Sequence, residues 1–277
     1  MLSVSFGPFV LSISHLLLLL ALAVATLVGW ITGRRRGINP ERALFGLFLL
    51  GLLASRLGFV AEYWTQYSFH PLNIIDIRDG GFLIWPGVVA IMIGAALHGW
   101  HRPLLRMPMG MGVVSGLVFW WLSALGVSAL HADARLPELT LNDAAGAPVQ
   151  LRDFQGKSLV INLWATWCPP CRREMPVLQA AQHANPDVTF VFVNQAESPG
   201  DVAAFLTRQG LHLDNVVFDT KGELAERVGS AALPTTLFYR PDGRFLTSHL
   251  GELSNASLTL YLNEISDVTP PISRSIQ

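Results

Sequence analysis

The sequence predicts a multi-domain chain. An α-helical transmembrane bundle of about four spans occupies residues 1–130, a short tether 131–137, an α/β domain 138–266 and a tail 267–277. Three observations lead there. The chain is 51% apolar and only 14% charged, which is greasy and charge-poor for a soluble protein. Its charge is unevenly spread. Up to Leu130 there are 8 Arg, no Lys and 4 acids, and from His131 on there are 11 Lys and Arg against 16 acids, so the two parts carry +4 and −5, the net −1. Past the tether, long apolar runs give way to short β-rich runs alternating with amphipathic ones, and the 2 cysteines fall between a strand and a helix.

A spanning helix needs about 20 predominantly apolar residues. Four stretches qualify, roughly 9–31, 43–60, 82–100 and 109–130, of which the second is the weakest because it carries Arg56. No basic residue precedes the first, and Arg34, Arg35 and Arg36 follow it, which is unlike a signal peptide. Arginine marks the cytoplasmic side of a membrane. Arg34–Arg36 and Arg42 lie between spans one and two, Arg102 and Arg106 between three and four, and only Arg78 between two and three. That pattern places the N-terminus and everything after Leu130 outside. A nucleic-acid partner would need a clustered basic face, and the chain has none.

In the α/β part, Ser158–Trp164 is apolar, short and β-rich, as a buried strand is. A helix follows from Pro169 to about 182, with Pro in its first turn. Residues 188–194 form a second buried strand, and 199–209 and 222–228 read as helices. Residues 235–240 and 245–250 flank "PDG" as a hairpin. A capped amphipathic helix over 254–265 closes the domain. Strand, helix, strand, hairpin and last helix give a mixed sheet with helices on both faces.

Cys168 and Cys171 are the only cysteines, spaced by Pro169 and Pro170. Two cysteines do not make a four-ligand zinc site, and no His pair stands at a suitable spacing, so no metal site is expected. As a structural disulfide the pair would close a very small loop and contribute little. A redox pair remains. A strand delivers Cys168 to the sheet's end and a helix begins there, where N-terminal amides favour thiolate. Cys171 lies one turn on.

"WATWCPPC", the "MP" of Met175–Pro176 and "LPTT" at 233–236 together resemble the thioredoxin fold, in the version of the membrane-tethered, periplasmic TlpA/ResA-like thiol–disulfide oxidoreductases. The resemblance covers about 136–265. It implies that Cys168 attacks and Cys171 resolves, that Pro234 is the cis-proline facing the disulfide, and that Pro176 kinks the active-site helix. Trp167, Pro169, Pro170, Asn162 and Thr235 are the supporting residues. Thioredoxin has an Asp six residues before the first cysteine; here that position is Asn162, which does not titrate. Some TlpA/ResA-like members place a Glu three residues after the second cysteine, where Glu174 stands. It reads either as a proton relay for Cys171, if burial raises its pKa, or as a solvated helix-face residue paired with an arginine.

"FGPFVLSISHLLLLL", "SRLGFVAEYW" and "PLNIIDIRDGGFLIWPGVVA" resemble the first half of prolipoprotein diacylglyceryl transferase, over about 6–90. Two departures stand out. Where that family has His-Gly-Gly, this chain has Trp85-Pro86-Gly87, and its later Arg/Asn/Glu-rich motif has no counterpart, since the fourth span carries no charge. The membrane part is therefore expected to be non-catalytic. Intramembrane Arg56 is a candidate for lipid-headgroup contact or for an ion pair with Glu62, and His15 is expected as a packed or interfacial polar residue.

The resemblance implies a thiol–disulfide oxidoreductase at the bacterial inner membrane, its redox domain periplasmic, reducing disulfides of specific partner proteins without a cofactor. The spans carry no cysteine, so a separate transmembrane electron donor is required, and membrane lipids are the remaining partners. A disulfide oxidase or isomerase is the alternative within redox chemistry. A lipid-binding or lipid-modifying protein with an accessory redox domain is the alternative outside it.

Overall fold

The computed structural model describes residues 3–6, 9–34, 37–67, 74–131 and 133–267. The features read at Arg35, Arg36, 71–73, part of the tether at Ala132 and the tail from 268 lie outside the described residues. The chain forms two compact units. One comprises Ser12–Ile77 and Gly81–Ala129, and the other Met1–Leu11, Arg78–Gly80 and Leu130–Gln277.

In chain order, β1 (Ser3–Phe6) and β2 (Phe9–Ser12) make a two-stranded sheet. Then come α1 (Ile13–Arg34), α2 (Glu41–Glu62), the short α3 (Trp64–Tyr67), α4 (Ile84–His101) and α5 (Arg106–His131). Among the described residues, four helices are long and apolar enough to cross a membrane. Leu27, Leu53, Leu97 and Leu122 point away from the protein, as side chains facing hydrocarbon do. The first span was expected from residue 9, but the helix starts at Ile13 because Ser12 caps it, its Oγ accepting from His15 N at 3.3 Å. His15 sits exposed at that cap, its Nδ1 in contact with Ser12 Oγ.

Small residues let these helices approach closely. A Cβ on Gly87 would stand 2.2 Å from Ser55 Oγ, and one on Gly112 would stand 2.7 Å from Ala25 O. Arg56 is 6% exposed. Its Nε, Nη1 and Nη2 donate to Ile74 O (3.0 Å), Gly81 O (3.0 Å) and Asp76 O (2.6 Å). Its guanidinium also lies over the rings of Tyr67, Phe59 and Phe82, 5.4 to 6.0 Å from their centroids. Neither reading of Arg56 from the sequence included this use: it ties a loop's carbonyls to α2.

The second unit continues with β3 (Thr140–Asn142), β4 (Pro148–Gln150), β5 (Ser158–Trp164), α6 (Pro169–Ala184), β6 (Val188–Gln195), α7 (Pro199–Gln209), β7 (Val216–Asp219), α8 (Glu223–Val228), β8 (Thr235–Tyr239), β9 (Phe245–Leu250) and α9 (Asn255–Asp267). The sheet order is β4-β3-β7-β6-β5-β8-β9. β5 runs parallel to β6 and antiparallel to β8, so it is central, and all seven of its residues are buried. Its side chains alternate between two cores. Leu159, Ile161 and Leu163 join Val191, Val193 and Leu237 on one face. Val160 and Trp164 join Cys168, Cys171, Met175 and Phe238 on the other. This is a thioredoxin-like α/β domain following four long apolar helices.

The stretch read as a tether is tied to this sheet at its end. Arg135 bridges Arg244, and Leu136, 7% exposed, donates its N–H to Gly243 O at 2.8 Å.

Candidate active site

The site begins where β5 ends. Cys168 is the N-cap of α6 with extended backbone, and Pro169 and Pro170 fill the first two helical positions. A helix N-terminus offers unpaired N–H groups, but proline has none. The first N–H available is that of Cys171, and it donates to Cys168 Sγ at 3.3 Å. The next, on Arg172, returns to Cys168 O at 3.1 Å. Cys168 and Cys171 are joined as a disulfide, the first 3% exposed and the second fully buried. Trp167, beside them, is 67% exposed.

Glu174 follows Cys171 by one helical turn, on the same face, and is fully buried. Its Oε1 accepts from Asn162 Nδ2 at 2.8 Å and its Oε2 from Leu253 N at 3.0 Å. Burial pushes its pKa up to about 8, partly offset by the Leu253 and Asn162 hydrogen bonds and reinforced by Glu252. The solvated reading of Glu174 is therefore replaced by a buried one. Asn162 also donates to Thr236 Oγ1 at 3.0 Å, while its buried Oδ1 has no hydrogen-bond partner among the described residues. Where thioredoxin has a titrating Asp, this chain has an amide that holds the titrating group supplied by α6.

The arginines after the pair are engaged. Arg172 lies over the Phe205 ring at 5.6 Å, and Arg173 pairs with Glu252 at 2.6 Å. The Leu233–Pro234 peptide is cis. Thr235 is buried and donates through Oγ1 to Ala232 O at 2.7 Å. Leu233 packs against both cores, the cysteine-containing one included. Pro176 lies inside α6, which continues to Ala184.

Two contributors escaped the sequence reading. Leu253 reaches Glu174 by its backbone from 79 residues away, and no side-chain pattern announces that. Glu197, in the loop after β6, accepts from Thr166 N at 2.7 Å, just ahead of Cys168. The only signal for Glu197 was an acid directly after a buried strand that runs parallel to the one carrying the cysteines. Among the described residues no group of three or more His, Cys, Asp or Glu is arranged to hold a metal ion.

The chemistry this arrangement supports is thiol–disulfide exchange. The Redoxin family matches residues 131–258, and the prolipoprotein diacylglyceryl transferase family matches 2–122. The thiol–disulfide oxidoreductase ResA of Bacillus subtilis is 30% identical over 142 residues, covering 50% of this chain and 79% of that protein. The ResA of Oceanobacillus iheyensis is 35% identical over 120 residues, covering 43% of this chain and 62% of that protein. A solved thiol:disulfide interchange protein of the thioredoxin family from Chlorobium tepidum is 25% identical, with 48% of this chain and 99% of that one covered and a TM-score of 0.42.

Proposed function

The chain belongs, through its second half, to the ResA family of thiol–disulfide oxidoreductases, and from that premise we propose that it is a membrane-anchored periplasmic reductase of disulfides in specific partner proteins. Cys168 thiolate attacks one sulfur of the partner's disulfide. That bond breaks, the leaving sulfur takes a proton from solvent, and a mixed disulfide forms. Cys171 then attacks Cys168 Sγ, and the second partner sulfur leaves as a thiol. Two electrons have passed to the partner, and the Cys168–Cys171 disulfide remains. A transmembrane dithiol donor returns the electrons.

Glu174 serves the second step as the proton acceptor of Cys171. Burial raises the Glu174 carboxyl to about 8, so the fraction that is ionised, which grows as pH approaches 8, is the form that takes the proton. Pro234 and exposed Trp167 border the surface offered to the partner.

The single observation that carries the reductase direction is the start of α6. Pro169 and Pro170 have no N–H, so the first N–H of α6 to reach Cys168 Sγ is that of Cys171. A thiolate with few donors is poorly stabilised, hence the reduced form is too, and the potential is low. Equilibrating the full chain in detergent with glutathione buffers tests this. A potential near or below thioredoxin's, about −270 mV, supports it, and one near the strong oxidants' value of about −120 mV overturns it.

The membrane unit serves as an anchor. Where the transferase family has its His-Gly-Gly, Pro86 lies so close to Gly58 that a Cβ there would stand 2.5 Å from its ring. That position is spent on helix packing.

A further inference from the structure

The exchange steps leave unused a carboxylate that is hydrogen-bonded to the turn carrying Cys168. Glu197 Oε2 accepts from Thr166 N and from Asn194 Nδ2, both at 2.7 Å, and its Oε1 accepts from Thr166 Oγ1. Thr166 stands two residues before Cys168, and Cys168 N donates to Ala165 O at 3.3 Å. The turn that presents Cys168 is thus held on both sides of Thr166. The three donors are neutral, so they hold the charge of Glu197 in place without cancelling it. Asn194 is fully buried and gives its amide N–H to Glu197, while its Oδ1 makes no hydrogen bond among the described residues.

The backbone around Glu197 is fixed as well. Ala196 has φ +58°, a left-handed conformation that residues with a Cβ rarely adopt, and its N–H donates to Asp219 O at 3.0 Å. On the other side Ser198 caps α7, accepting from Asp201 N at 3.2 Å. Such strain persists where the surroundings over-determine it, and it gathers at functional sites.

We propose that Glu197 is a positioning residue for Cys168, fixing the Thr166–Cys168 turn and standing behind it as an immobile negative charge that disfavours the thiolate. A like charge nearby raises a thiol's pKa, and a disfavoured thiolate lowers the potential. Of the other charged groups on the elements around the pair, Asp219 on β7 is buried and accepts from the N–H groups of Glu223 and Leu224, and Glu264 on α9 is exposed. Arg172 lies over Phe205, Arg173 pairs with Glu252, and Glu174 is held by Asn162 and Leu253. On α7, Asp201 accepts from Ser198 Oγ, and Arg208 lies in the last turn, away from the cap.

The proposal deepens the reductase reading and rests on it for the sense of the effect. The test uses the full chain in detergent and three variants, Glu197→Gln, Glu197→Asp and Thr166→Val. Two quantities are read: the pH midpoint of Cys168 alkylation by iodoacetamide in the reduced protein, and the potential against glutathione. Glu197→Gln should shift the midpoint down by about half to one pH unit, three- to tenfold toward thiolate. The potential should then rise by about 15 to 30 mV, at 29.6 mV per tenfold. Glu197→Asp keeps the charge and should stay within about twofold of the parent. Thr166→Val keeps the charge but loosens the turn, and should slow reduction of insulin severalfold without lowering the midpoint. An unmoved or raised midpoint in Glu197→Gln, or an equal shift in Glu197→Asp, overturns the proposal. The parent's absolute potential judges the reductase reading and the difference between variants judges this one, so each can fail alone.

Discussion

Replacing Glu174 with Gln should flatten the pH dependence of the oxidised protein's stability between pH 5 and 8. Glu174 is fully buried, and its carboxyl is raised from 4.5 to about 8, chiefly by burial. The unfolded chain gives up this proton near 4.5 and the folded chain near 8. Below 4.5 both states hold the proton and folding loses nothing. As pH climbs toward 8 only the unfolded state ionises, and the balance tilts toward it by about 1.4 kcal/mol per pH unit. Across the window between 4.5 and about 8 the ceiling is about 5 kcal/mol. Relaxation and water entry around the buried group should bring the observed loss to about 2–4 kcal/mol. Gln does not ionise and still offers an oxygen to Leu253 N. The assay is denaturant unfolding of the oxidised full chain in mild detergent at pH 5, 6, 7 and 8, followed by near-UV circular dichroism. The parent should weaken steadily with pH and the Gln variant should not, becoming the more stable of the two at pH 8. Equal slopes would refute a neutral, buried Glu174. In the reduced protein the same variant should slow release of the mixed disulfide about 100-fold, as loss of a general base does.

Cys171→Ala should accumulate mixed disulfides with partner proteins, visible as reductant-sensitive bands on a gel, and Cys168→Ala should accumulate few; equal trapping would reverse or void the roles assigned. A phosphatase fused after Leu130 should be active and one fused after Arg36 inactive, since arginine flanks the loops expected inside, and the opposite pattern would remove the redox domain from the periplasm. Replacing Pro169 and Pro170 with Gly and His restores two N–H groups at the start of α6 and should raise the potential. A fall would show that missing donors are not what sets it.

The spans and the redox helix were legible because their signals are long or chemically singular. About 20 apolar residues, or Cys-Pro-Pro-Cys after a buried β run, have few other readings. Strands β3 and β4 were not legible, since at three residues each, Thr140–Asn142 and Pro148–Gln150, they are too short to show alternation. The four-residue β7 was missed for the same reason. The start of α1 was misplaced by four residues because Phe9–Ser12 is as apolar as a span, and only the Ser12 cap marks the boundary. At the site, side chains could be nominated, but their partners could not. Glu174 was a candidate by position, yet its burial depends on Asn162 from β5 and on the backbone of Leu253, 12 and 79 residues away. Arg56 was marked by its charge, whereas the carbonyls of Ile74, Asp76 and Gly81 that receive it carry no side-chain signature.

The central claim, reduction outside the cytoplasm, is tested most directly by the redox state of Cys168 and Cys171 in living cells. Acid quenching followed by alkylation with a mass-shifting maleimide reads it on a gel. With the transmembrane dithiol donor present, the pair should be mostly reduced, and deleting the donor should leave it oxidised. A pair that is fully oxidised whether or not the donor is present would contradict the reductase account.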